Sequence, residues 1–228
     1  ILNSSGDEPH NSPASKHGQL AKVERMSAGP EAPVVHHPHD VCSVIRLAPN
    51  FPEDASVFSA SYGSMNLFLR SRNRGFGWVN SRSGMLGYKI RDIAIAPDSK
   101  KSELIFVALA ESGLQRSRDG GNTWEPAVVK SMVTEVEVGE LNGGKRLVVC
   151  AGNQAIHHST DGGDTWSSHG TATAPVLSLA LPSGATETPF IAVGTRDAVL
   201  IKNGDREWRT ASIPSPAHAL EFSPDFAN

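Results

Sequence analysis

The sequence predicts an all-β chain, a β-propeller segment of four-stranded antiparallel blades, with four blades visible and the first strand of a fifth. Three observations predict it. The four tryptophans, Trp78, Trp124, Trp166 and Trp208, recur at spacings of 46, 42 and 42 residues. Each follows a related turn-rich string: SRNRGFGW, SRDGGNTW, STDGGDTW and a worn KNGDREW. In the same phase, an apolar run closes on Pro49, Pro97, Pro182 and Pro224, and the third unit has Gly139-Glu140 at that place. A unit of this length that holds four short strands is the sequence signature of a propeller blade.

In chain order, residues 1–40 are rich in Ser, Pro, His and charge. Such a stretch buries too little apolar surface to offset its ordering entropy and reads as a flexible tail or linker. Only Val34-Val35 within it could pair with a sheet edge. The propeller segment follows over 41–228, with blades at about 41–82, 88–130, 131–172 and 173–214 and a fifth opening at 216–228. The second unit shows the pattern best. Ile90 to Ala96 is an apolar strand, followed by a polar turn. Leu104 to Ala110 is a continuous apolar run, as in a strand buried on both faces. Leu114 to Ser117 is a short third strand, and Thr123 to Val129 the fourth. Because the fifth unit offers one strand, the segment is expected either to be excised from a larger propeller or to self-associate into a ring.

Composition narrows the function. A net charge of -3 gives no basic field for nucleic acid, and no apolar run reaches the length of a membrane span. Cys42 and Cys150 are too few for a disulfide framework and lack metal spacing, so they read as two separate buried thiols. No cofactor pattern is present. The cluster His36-His37-Pro38-His39-Asp40 has metal-like donors but lies in the expected tail. Asn3-Ser4-Ser5 fits a glycosylation acceptor.

Two strings fit S-x-D-x-G-x-T-W in full: Ser117, Asp119, Gly121, Thr123 and Trp124, and then Ser159, Asp161, Gly163, Thr165 and Trp166. The motif is expected to be a hairpin turn. The aspartate hydrogen-bonds backbone N–H groups two residues on. The second glycine takes the positive φ of a bulged hairpin. Thr and Trp start the next strand, with the Trp pinning the turn onto its own blade. The aspartates are therefore expected to be structural. The loop lacks the twelve-residue spacing of a calcium hand, and no metal is assigned to it.

Two intact motifs in phase make residues 41–228 resemble the Asp-box, or bacterial neuraminidase repeat, propellers. These include sialidases, xyloglucan-active glycosidases, sortilin-type receptors and assembly factors of the Ycf48 kind. The apolar strands ending in Ala/Ser-Pro and the Arg-Ser before the box look like the non-sialidase members. The resemblance implies the fold, mildly favours an extracytoplasmic location, and leaves activity open because catalysts and binders share the box.

For catalysis, neither Tyr62 nor Tyr88 lies in a sialidase-like setting, and Ile45-Arg46-Leu47-Ala48-Pro49 has the wrong order for the arginine signature of that family. A xyloglucanase-type carboxylate pair could come from Asp92, Glu135 and Glu137, the last two on one face of a strand. Catalytic roles are assigned to none of them. A cation or potential cation precedes each box: Arg70, Arg116, His158 and Lys202. These could form a partial ring facing an acidic partner, or each could cap a blade through a neighbouring carboxylate or carbonyl. The expectation is a module that binds a protein or glycan. The alternative is a glycoside hydrolase with some of its carboxylates on other blades.

Overall fold

A computed structural model describes residues 41–62, 68–97, 103–126, 128–223 and 225–226. The expected tail, its histidine cluster and Asn3 lie outside the described residues. Among the described residues, fifteen strands form four antiparallel sheets in chain order. The first holds β1 (Val41–Leu47), β2 (Val57–Tyr62), β3 (Phe68–Ser71) and β4 (Val79–Asn80). The second holds β5 (Ile90–Ile95), β6 (Ile105–Leu109) and β7 (Gly113–Ser117). The third holds β8 (Glu135–Leu141), β9 (Lys145–Gly152), β10 (Ala155–Ser159) and β11 (Ser167–Thr171). The fourth holds β12 (Ser178–Ala180), β13 (Phe190–Gly194), β14 (Ala198–Asn203) and β15 (Arg209–Ser212). The first strands lie side by side, β1 against β5, β5 against β8 and β8 against β12, as the inner strands of a propeller do.

Strand periodicity explains the packing. In β6, Ile105, Val107 and Leu109 join Phe58, Phe68 and Ile93 in a core between the first and second sheets. The alternate residues Phe106 and Ala108 join Val136, Val148 and Cys150 in a core between the second and third. In β9, Leu147, Val149 and Ala151 turn the other way, onto Leu179, Ile191 and Val193 of the fourth sheet. β6 is apolar throughout because each of its faces meets a different neighbouring sheet.

Three expectations need correction. The fourth strand over Thr123 to Val129 is not regular. Glu125 N–H donates to Arg116 O at 2.8 Å, and Val128 N–H to Leu114 O at 2.9 Å. Beyond these, the segment makes only isolated bridges, Ser83 with Thr123 and Leu114 with Val129. Pro126 has no N–H to continue a ladder there. The stretch from Pro216 to Phe222 is not a strand either. Ala217 N–H donates to Thr195 O at 3.0 Å, much as Val176 ahead of β12 donates to Asn153 O at 2.7 Å. After that, no further strand lies beside it among the described residues. Finally, Cys42 is exposed, on β1 next to a bulge, while Cys150 is buried; both are free thiols. No helix among the described residues is long and apolar enough to cross a membrane.

Candidate functional site

The turns carry the densest polar chemistry. Ser117 Oγ–H donates to Asp119 Oδ1 at 2.8 Å and accepts from the N–H of Gly121 at 2.8 Å. Asp119 in turn accepts from the N–H of Thr123 at 2.9 Å and its hydroxyl at 2.6 Å. Ser159, Asp161, Gly163 and Thr165 repeat this set at 2.6, 2.8, 3.0 and 2.6 Å. The aspartate therefore closes a loop four residues on, rather than the two expected, and the serine satisfies the glycine amide. The worn first turn does the same with Ser71 and Asn73, which accept from the N–H groups of Gly75 and Gly77 at 2.8 and 2.7 Å. The Ser159 and Thr165 hydrogen bonds hold the Asp161 carboxyl well below the usual carboxylate range. For Asp119, slight burial works the other way, but the Thr123 and Ser117 bonds outweigh it and lower the pKa.

The turns also dock sideways. Gly121 and Gly163 have φ of 81° and 87°. A Cβ at either would come within 3.1 Å of the Phe68 ring or 2.8 Å of the Phe106 ring, both on the preceding sheet. Trp124 was expected to pin its own blade. Instead it packs edge-on to Phe68 at 4.9 Å and donates from Nε1 to Ser81 O at 3.0 Å, so it holds the preceding sheet. Trp166 does reach its own turn, through Gly163 O at 3.0 Å.

The four cations before the turns divide into two kinds. Arg70 is 8 % exposed and crosses to the next turn, donating to Gly120 O at 2.5 Å and Asn122 Oδ1 at 2.8 Å. Arg116, 7 % exposed, does the same to Gly162 O at 3.1 Å and Asp164 Oδ1 at 3.0 Å, and pairs with Glu125 at 2.5 Å. Arg118 closes a ring of four charges by pairing with both Glu125 and Asp164. His158 contacts His169 at 2.9 Å, and Lys202 lies over the Trp208 ring at 5.7 Å. The register places all four at matching points, but only the two arginines bridge adjacent turns.

Along the inner strands, the structure brings Asp92, Glu135 and Glu137 together. Asp92, 6 % exposed, accepts from Arg46 Nη2 at 2.6 Å, Ile93 N at 2.8 Å and Val136 N at 3.1 Å. Arg46 Nε also donates to Ile93 O at 3.0 Å. One carboxylate thus stitches the inner strands of three consecutive sheets. Burial raises the Asp92 pKa, opposed first by Arg46. Burial and the nearby Asp92 charge push Glu135 up to about 8 and Glu137 up to about 7. Sequence reasoning missed Arg46 in this role, because a single Arg on an apolar strand carries no signal of a partner 46 residues away.

A separate groove of about 570 Å³ opens between the first and second sheets. Phe58 and Arg70 from one side and Asp119 from the other contribute to its walls, and Arg72, Glu103 and Arg118 are exposed along it. Arg118 is spoken for by Glu125 and Asp164. Among the described residues no side-chain hydrogen bond or ion pair engages Arg72 or Glu103, although the Glu103 carbonyl accepts from the N–H of Gly120 at 2.9 Å. The only sequence trace of this groove was the arginine at the second place of the first two turn strings.

No protein-family model and no curated protein matches the sequence. Solved structures match the fold. U3-55K aligns at a TM-score of 0.60 and 11% identity, over 82% of this chain and 58% of that one. Ycf48 bound to D1 peptide aligns at 0.56 and 17% identity, over 85% and 62%. The GH74 enzyme of Niastella koreensis aligns at 0.53 and 15% identity, over 69% and 28%. The chain is all-β with the architecture of these β-propellers, and it spans less than two thirds of the length of each.

Proposed function

We propose that the chain is a non-catalytic propeller module that binds an extended, charged segment of another protein in the groove between its first and second sheets. On this reading its turns are Asp-boxes of the bacterial neuraminidase repeat, and Ser117, Asp119, Gly121, Thr123, Trp124 and their counterparts from Ser159 to Trp166 are structural. The observation that carries the reading is the behaviour of the inner-strand carboxylates. A glycosidase pair needs one group held protonated and a second held ionised across the substrate. Here the carboxylate paired with a cation, Asp92, is fully engaged by Arg46 and two backbone N–H groups, so it is not open to act as base or nucleophile beside the raised Glu135 and Glu137.

The groove has the features a peptide site needs. A guanidinium and a carboxylate without side-chain partners among the described residues, Arg72 and Glu103, flank one concave surface, and such a pair recognises charge order along a chain. Phe58 is 1 % exposed and offers no aromatic platform for a sugar ring. The Ycf48 structure, which has the same fold, is described as bound to a peptide, and this agrees with the reading.

The test is a fluorescence-anisotropy screen of the chain against charged peptides and a glycan panel, with glycoside hydrolysis assayed in parallel. The expected result is peptide binding that weakens at least tenfold in Arg72→Glu and in Glu103→Lys, with melting temperatures unchanged. Turnover of any glycoside, or peptide binding indifferent to both substitutions, contradicts the reading.

A further inference from the structure

The three seams between sheets are fastened differently. At the first two, Arg70 and Arg116 reach the carbonyls of Gly120 and Gly162 in the following turn. At the third, the same place holds His158, whose side chain is shorter, and among the described residues no hydrogen bond joins it to the fourth turn. His158 turns instead to its own sheet, where its Nδ1 lies 2.9 Å from Nδ1 of His169 on β11, with ring centroids 4.3 Å apart. The fourth sheet grips this pair through Trp208. That indole stands edge-on to His169 at 5.9 Å and donates from Nε1 to the His169 carbonyl at 3.1 Å.

This contact is sensitive to protons. A 2.9 Å contact between two Nδ1 atoms needs a hydrogen on one and a lone pair on the other. Two imidazolium rings would aim two N–H groups at each other. His169 is 8 % exposed, and its Nε2 is buried with no partner, so a proton there would be a buried, unpaired cation. Lys202 on β14 opposes protonation of both rings, and Asp205 in the fourth turn favours it. The facing residues of β9 are Val149 and Cys150, and Ser167 on β11 lies opposite His158. His157, on the same strand, reaches Ser131 instead. Burial holds both rings below the ordinary histidine range, with His169 brought down to about 4.

We propose that the seam between the third and fourth sheets is an acid-released joint: protons on the His158–His169 pair undock Trp208 and loosen the fourth sheet, while the arginine-fastened seams hold. The sign follows from the buried neutral rings. The contact is fully present above the ordinary histidine value near 6.5 and is lost as pH falls toward about 4.

Hydrogen exchange of the full chain between pH 7.5 and 4.5, corrected for intrinsic rates, tests this. Protection over 198–212 is expected to fall below about pH 6.5 by up to about a hundredfold per pH unit, about tenfold for each of the two protons, while protection over 105–117 holds. His169→Phe and His158→Arg are each expected to abolish the selective fall. Equal loss in both regions, or a selective fall that survives His169→Phe, overturns the proposal. Should the variants not fold, the histidine ring proton resonances of the unaltered chain decide. Coupled titration with one step below about 5 supports the joint, and two independent titrations near 6.5 overturn it.

Discussion

At the scale of single residues, the most recognisable positions do the most local work. Asp161 accepts from the backbone N–H groups of Asp164 and Thr165 and from the Thr165 hydroxyl. Asp161→Ala removes this acceptor from an exposed turn, where water replaces it in part, and is expected to lower stability by about 0.5–1.5 kcal/mol, read by urea denaturation. Arg116 is the longer-range counterpart. Arg116→Met keeps the buried stem but removes the bonds to Gly162, Asp164 and Glu125, and is expected to cost about 2–3 kcal/mol in the same measurement. Glu135 and Glu137 report pH. With pKa values raised to about 8 and about 7, their contribution is full below the ordinary carboxylate value near 4.5 and is lost as pH rises through 7 to 8. The doubly substituted Glu135→Gln/Glu137→Gln chain is expected to lose the alkaline part of that decline in melting temperature between pH 6 and 9.

At the scale of elements, much was legible because strands declare themselves through alternation and turns through glycine and aspartate. The expected strand over Leu104 to Ala110 is β6 (Ile105–Leu109). Its unbroken apolar run reflects two cores, one on each face. What the string did not reveal are contacts between units. Trp124 packs on Phe68 of the preceding sheet, a partner that lies outside the motif. Pro126 was visible, but its effect depended on where the ladder needed a donor. The carboxylates Asp92, Glu135 and Glu137 were each legible as candidates. Their partner Arg46 and their shared direction of shift were not, because burial and neighbouring charge belong to the assembled strands.

At the scale of the whole molecule, the described sheets form a chain-ordered row in which the first two seams are fastened from turn to turn. Arg70, Arg116 and Trp124 serve this sideways hold. On the proposed reading, such a scaffold leaves recognition to exposed groups between blades, and the groove with Arg72 and Glu103 is the candidate. The inner-strand cluster is then framework, with Asp92 stitching three sheets. These two assignments separate cleanly in one comparison: the affinity for a charged peptide, measured by titration calorimetry, in Arg72→Glu and in Glu135→Gln/Glu137→Gln. The account predicts a loss of at least tenfold in the first and a change within about twofold in the second at pH 6. Binding that survives Arg72→Glu but collapses in the double glutamine chain would contradict it and place the site on the inner strands.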